Sequence, residues 1–241
     1  MARPRREAGS GAVKRRRGAV RVAKAKTASS RRWLERQLND PYVQAAREEG
    51  YRSRAAYKLI ELDERFGLLR AGASVVDLGA APGGWSQIAA QRVRAGKSGG
   101  GKVVAIDLNP IDAIDGVTFL QADALDFATL EPIRAALGAT RADLVMSDMA
   151  APSTGHAATD HLRVMALCEA ALDIAEALLA PGGAFVAKVL KGGTERTILE
   201  RLKRAFRTVK HAKPPSSRAD SAESYVVALG YRGTGAPPGD A

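Results

Sequence analysis

Cysteine is nearly absent from this chain: Cys168 is the one thiol in 241 residues. No intrachain disulfide framework is possible, and a reducing compartment is expected. No apolar run approaches the roughly 20 residues needed to cross a bilayer, and no secretory apolar segment stands near the start. The expectation is a soluble, cytoplasmic protein without membrane contact. Histidine is scarce too. His156, His161 and His211 have no ligand spacing with one another or with Cys168, so no metal is assigned.

The first 32 residues lack Leu, Ile, Phe, Trp and Tyr altogether and hold a single acid, Glu7. Twelve of the 37 Lys and Arg fall there, so the remainder of the chain carries 25 residues of each sign and the net charge of +11 belongs to this segment. Such a stretch cannot bury a core, and residues 1–30 are expected to form a disordered basic arm. A basic arm attracts phosphate backbones with a salt-dependent affinity. A solubilising tail is the plainer alternative. An Arg-rich transit peptide is a third, although the large apolar residues of an amphipathic helix are missing. A second disordered tail is expected over residues 233–241, "GTGAPPGDA".

Between these tails the sequence alternates. Hydrophobic residues make up 46% of the chain, enough for one well-cored domain over residues 31–232. Apolar β-rich runs occupy 74–78, 102–108, 117–121, 143–148, 184–190, 209–212 and 224–231. Helical patterns fill 84–93, 125–137, 160–179 and 194–206. Ahead of them, 32–49 is helical but broken by Pro41, and Ser53 is placed to cap a helix that runs to Phe66 and ends at Gly67. Alternation of this kind predicts an α/β fold, a doubly wound, mainly parallel seven-stranded sheet with helices on both faces. Only "KPPSSRADSAE" separates the last two strands, too little for a crossover helix, so they should form an antiparallel terminal hairpin.

The stretch "VVDLGAAPGGWSQ" is a strand, a small-residue loop and a helix start. Gly79, Gly83 and Gly84 permit positive φ and close approach to a ligand, and the helix behind them offers free N–H donors. No Lys follows, which excludes the phosphate loop. Ala81 occupies the second position of the dinucleotide fingerprint, which excludes that too. An adenosyl-type ligand remains. Asp107, ending the second strand, can accept from ribose hydroxyls, and Asp123, ending "FLQAD", from an adenine amino group. Tight-turn aspartates are the alternative. Trp85 either walls the ligand or packs on the sheet. Asp77, Asp107, Asp148 and Lys188 stand near the carboxyl ends of their strands, the edge at which such sheets bind ligands.

Lys188 is the oddest of these. It stands inside "AFVAKVL", a run that reads as a buried strand, and a buried ammonium needs a partner, a route to water or a task.

These motifs resemble the FtsJ/RrmJ family of S-adenosylmethionine-dependent RNA ribose 2′-O-methyltransferases. The resemblance runs from about Ser30 to Tyr231 through "SRAAYKL", "DLGAAPGGWSQ", "SDMAAPSTG", "AKVLKGG" and "KPPSSRADSAESYVVA". It implies a Rossmann-like class I methyltransferase with a Lys–Asp–Lys–Glu catalytic tetrad, matched here by Lys58, Asp148, Lys188 and Glu223. Lys188 would be the general base, with Lys58 and Glu223 orienting it and Asp148 beside the methyl donor. Donor contacts would come from Asp77, Gly79, Gly83, Gly84, Trp85, Asp107, Asp123 and Asp148. The implied substrate is a uridine in the A-loop of large-subunit ribosomal RNA, probed by a monomer. The segment "SSRAD" (Ser216–Asp220), Arg52, Arg54 and Lys191 are candidates for RNA contact or plain surface charges. Transfer RNA, an mRNA cap, a base amino group and a methyltransferase-like assembly factor are the competing readings. The "SDMAAP" strand end speaks against adenine amino groups, and four filled tetrad positions speak against an inert fold.

Overall fold

The computed structural model describes residues 31, 34–35, 37–138, 141–190 and 196–233. The expectations for the arm before residue 31, for Lys191 and for the tail beyond Gly233 lie outside the described residues.

Two helices precede the sheet. Asp40 caps α1 (Pro41–Glu48) by accepting from the Tyr42 amide, and Pro41 takes the first helical position, where its missing N–H costs nothing. α2 (Ala55–Phe66) stops at Gly67, whose left-handed backbone (φ 64°) ends the helix as expected. Its start differs from expectation. Ser53 makes no side-chain cap, and its buried hydroxyl has no hydrogen-bond partner. It is instead pressed against Gly84, where an added Cβ would stand 2.4 Å from Ser53 Oγ.

The remaining elements alternate: β1 (Ser74–Leu78), α3 (Gly84–Val93), β2 (Lys102–Asp107), β3 (Val117–Gln121), α4 (Leu130–Leu137), β4 (Ala142–Ser147), α5 (Ala157–Leu178), β5 (Leu179–Leu190), α6 (Arg196–Ala205), β6 (Phe206–Ala212) and β7 (Glu223–Tyr231). They form one seven-stranded sheet in the order β3-β2-β1-β4-β5-β7-β6. β1 to β5 are parallel, whereas β7 runs antiparallel to both β5 and β6. The terminal hairpin is present, with its second strand inserted between β5 and β6. Boundaries shift modestly. Residues 127–129 make a single 3-10 turn before α4, opened by Asp126. β5 begins directly after α5, with a register irregularity opposite Ala142 and Leu144.

Alternation along the strands divides the core. Val76, Leu78, Val104 and Ile106 face α4, α5 and α6, meeting Ile133, Leu172 and Leu202. Val75, Val103, Leu144 and Met146 face α2 and α3, meeting Leu59, Leu62 and Ile88. A sheet buried on both faces accounts for the near-continuous apolar runs in the sequence.

Candidate active site

From β1 the chain crosses to β2 on one side and later returns to place β4 on the other. The crevice beyond the carboxyl ends of these strands is where sheets of this kind bind ligands. A cavity of about 420 Å³ lies there. Gly79, Asp107, Asp123 and Asp148 line it, together with the apolar side chains of Ile106, Leu108, Leu125 and Leu167. Among the described residues no Lys or Arg contributes to the wall.

Gly79 has φ 75°, and a Cβ there would come within 2.5 Å of Met149 Cγ, so the loops after β1 and β4 meet across a glycine. Asp107 ties the glycine loop to β2. Its Oδ2 accepts from the Ala81 amide at 2.9 Å and its Oδ1 from the Asn109 amide at 2.8 Å. Asp123 Oδ1 accepts from the Leu125 amide at 2.9 Å, an Asx turn. Each aspartate thus shapes its own turn while also forming the cavity wall.

Four other anticipated ligand residues stand off that wall. Trp85 is 2% exposed, donates Nε1–H to the Ala55 carbonyl at 2.8 Å, and lies 5.6 Å from the Tyr225 ring. Of its two readings, packing on the sheet is the one seen. Gly83 (φ 100°) turns into α3 against Arg52 and Ile114, and Gly84 faces Ser53. Asp77 is fully buried. Its Oδ2 accepts from Ser86 Oγ at 2.6 Å and its Oδ1 has no partner. Burial pushes this carboxyl up to about 7, against the Ser86 hydrogen bond, with the Asp148 and Asp107 charges adding to the rise.

Lys58, Asp148, Lys188 and Glu223 converge from four separate segments. Lys58 Nζ lies 2.7 and 2.8 Å from the two Glu223 carboxylate oxygens, and Lys188 Nζ lies 2.8 Å from Asp148 Oδ1. The crossed contacts, Lys58 to Asp148 and Lys188 to Glu223, are each 3.9 Å. Charges therefore alternate around a compact square whose side chains are between 10% and 17% exposed. Lys188 also donates to the Asp148 carbonyl at 2.8 Å, which explains how a lysine is accommodated in a buried strand. Burial pushes the Asp148 carboxyl up, but Lys188, Lys58 and a hydrogen bond from Tyr225 outweigh it and hold the group below the usual carboxylate range.

The position of β7 brings the fourth member in. Its antiparallel register sets Glu223 opposite Leu190 and Tyr225 opposite Lys188. Sequence reasoning missed Tyr225, whose buried hydroxyl donates to Asp148 Oδ1 at 2.7 Å. The available signal was its place two residues after Glu223 in a strand, which puts both on one face. The same reasoning took Ser217 only as part of the candidate RNA-groove segment "SSRAD", whereas the hydroxyl donates to Glu223 Oε1 at 3.1 Å.

The arginines considered for RNA are occupied within the protein. Arg52 donates to the Asp112 and Ala113 carbonyls, both at 2.6 Å, and Arg54 to Asp40 and the Ser216 carbonyl. Among the described residues no group of three His, Cys, Asp or Glu is arranged to hold a metal ion, and no helix is long and apolar enough to cross a membrane.

Known proteins resemble this chain over most of its length. The profile of the FtsJ-like methyltransferase family matches residues 51–231. The ribosomal RNA large subunit methyltransferase E of Azorhizobium caulinodans is 58% identical over 215 residues, which span 89% of each chain. The protein of the same name from Paramagnetospirillum magneticum is 57% identical over 216 residues, 89% of this chain and 88% of the relative. A solved structure described as a ribosomal RNA methyltransferase from Plasmodium falciparum superposes with a TM-score of 0.68 at 30% identity, covering 76% of this chain and all of that one. On the span of the profile and the extent of this identity, the chain belongs to the FtsJ-like methyltransferase family.

Proposed function

We propose that this protein methylates a ribose 2′-hydroxyl of large-subunit ribosomal RNA, on a uridine of the A-loop, with S-adenosylmethionine as donor. The observation that carries the reading is the double duty of Asp148, which walls the cavity on one side and pairs with Lys188 on the other. A ligand in the cavity and a nucleophile beside the lysines would meet at that residue. The relatives named ribosomal RNA large subunit methyltransferase E support the substrate class.

The cavity suits an adenosyl sulfonium. Ile106, Leu108 and Leu125 offer apolar surface for a flat base, Asp107 and Asp123 offer acceptors, and a wall without Lys or Arg among the described residues suits a cation better than a phosphate. Bound there, the donor would supply an electrophilic methyl group.

The protein's own part is to manage one proton and hold one oxygen. A ribose hydroxyl is a weak nucleophile unless its proton leaves as the methyl arrives. Lys188, as the free amine after releasing one proton to solvent, takes the 2′-hydroxyl proton on Nζ. Asp148 keeps that nitrogen aimed through its carboxylate and its carbonyl. The Lys58–Glu223 pair orients the hydroxyl from the opposite corner of the square. Low exposure of all four excludes water and strengthens each contact. Alignment of attacking oxygen, methyl and leaving sulfur supplies much of the rate. The protein acts as a cytoplasmic monomer with one methyltransferase domain over residues 31–232, and the basic arm adds phosphate affinity.

The test uses methyl-labelled donor with undermethylated large subunits, comparing wild type and Lys188→Ala. Label held in an alkali-resistant dinucleotide, and at least ~100-fold slower in the variant, is the expected result. Label in ordinary mononucleotides would overturn ribose methylation. Label on transfer RNA but not on subunits would overturn the substrate.

A further inference from the structure

Glu223 opens β7 at the end of an irregular segment, 213–222; pairing opposite Leu190 and an amide hydrogen bond to Ser221 Oγ at 3.2 Å place its backbone beside Lys58. The orientation of the carboxylate itself is further held by hydrogen bonds that lead away from the tetrad. Ser217 Oγ donates to Glu223 Oε1 at 3.1 Å. Each neighbour of Ser217 is anchored. On one side, Ser216 donates its amide and hydroxyl to Glu61 Oε2 at 2.8 and 2.6 Å, while its carbonyl accepts from Arg54. On the other, Arg218 Nε donates to Asp40 Oδ2 at 3.1 Å. Arg54 donates to the same Asp40 oxygen.

Asp40 therefore stands behind both flanks. Its Oδ1 caps α1 through the Tyr42 amide, and its Oδ2 gathers the guanidinium groups of Arg54 and Arg218. The carboxylate is 7% exposed and so is held in one place. A helix cap alone would need neither arginine. A surface ion pair alone would contribute little and would be loose. What this arrangement achieves is the fixing of residues 216 and 218 to two different helices, with the hydroxyl of residue 217 held between them and pointed at Glu223.

We infer that Asp40 is a positioning residue for the tetrad: through Arg54 and Arg218 it locks Ser217, and through Ser217 it sets the Glu223 carboxylate against Lys58. The inference rests on the reading of the tetrad as the methyl-transfer site. Asp40 touches neither the cavity wall nor a tetrad side chain, so donor binding is independent of it. Displacement of a group held for alignment is costly even when its origin is remote from the chemistry.

The experiment measures methyl transfer to undermethylated large subunits for wild type, Asp40→Ala, Arg218→Ala, Glu223→Ala and the Asp40→Ala/Glu223→Ala double variant, with donor affinity measured separately by calorimetry. Asp40→Ala should lower kcat by ~10- to 100-fold with donor Kd unchanged. Arg218→Ala, which leaves the α1 cap intact, should reproduce most of that loss. Asp40→Asn keeps the cap through its one oxygen but turns an N–H donor group toward the two guanidinium groups, and should lose rate much as Asp40→Ala does. In the Glu223→Ala background, Asp40→Ala should cost nothing further, because its effect passes through Glu223. Amide exchange over residues 214–223 should quicken in Asp40→Ala. Equal losses in both backgrounds, a fall in donor affinity parallel to the fall in rate, or an unchanged kcat in both Asp40→Ala and Arg218→Ala would each overturn the inference. A wild type that transfers no methyl group to the subunits would overturn the functional reading instead, and the exchange measurement would still test the clamp.

Discussion

The Tyr225 hydroxyl donates to Asp148 Oδ1 at 2.7 Å, the same oxygen that Lys188 approaches at 2.8 Å. One carboxylate oxygen thus holds a phenol and an ammonium. Burial, followed by the Asp148 and Glu223 charges, lifts the Tyr225 hydroxyl well above its ordinary range, so it remains a donor at every working pH.

Removing that donor has a directional consequence. The Tyr225 hydrogen bond is one of the contributions that lower the Asp148 carboxyl, so Tyr225→Phe should raise it. The acid limb of the kcat–pH profile should move to higher pH, with a several-fold loss of kcat near neutrality. A profile that falls in height without moving along the pH axis would show that Tyr225 only packs.

Asp77 makes a stability prediction with the opposite sign to most acids. Its folded carboxyl lies near 7, above the ordinary 3.8. The folded state therefore holds this proton more tightly than the unfolded chain. The favourable contribution is complete below about pH 4 and is lost as pH rises through 7. A shift of that size corresponds to at most about 4 kcal/mol. Asp77→Asn should gain stability relative to wild type between pH 5 and pH 8.5, as read by urea midpoints. A difference that stays constant across that range would mean that Asp77 is already ionised in the folded protein.

Gly84 and Ser53 should behave as a coupled pair. Gly84→Ala drives a methyl group to within 2.4 Å of Ser53 Oγ, an atom without a hydrogen-bond partner. The variant should lose about 1–3 kcal/mol of stability. Ser53→Ala should itself cost little, because it removes an unsatisfied buried hydroxyl. It should also recover much of the loss in the double variant, since Ser53 Cβ lies at a comfortable 3.6 Å. Strict additivity in a double-mutant cycle on melting would contradict this contact.

Cys168 offers an internal reporter of unfolding. It is 2% exposed on α5, and burial pushes its thiol up to about 12. A thiol reagent should leave the folded protein unmodified at pH 8 for hours and label it stoichiometrically in urea. Rapid labelling without denaturant would show that α5 opens readily.

Much of this was legible in the sequence because the central strands are buried on both faces. Runs such as Ser74–Leu78 and Ala142–Ser147 carry their own signal, and Gly67 marks a helix end that is present. The long-range arrangement was less legible. Nothing local to 224–231 says that this strand slides between β5 and β6, yet that insertion is what carries Glu223 to Lys58. Ser53 stands where a cap would stand, but its surroundings are set by the approach of Gly84, more than thirty residues away. Trp85 follows the glycine loop directly, and its indole is turned away by the Ala55 carbonyl and the Tyr225 ring. In each case the deciding neighbour is distant along the chain and invisible to periodicity.

The insertion of β7 also bears on when the enzyme comes into being during translation. The cavity wall is complete once the chain has passed residue 167, and Lys58, Asp148 and Lys188 are all present by residue 188. Glu223 comes last along the chain, on a strand that lies between β5 and β6 in the sheet. An interrupted or clipped product lacking that strand would retain the donor-side residues yet have an open square with Lys58 unpaired by its nearest acid. All four corners of the square are together only in a chain that runs through β7.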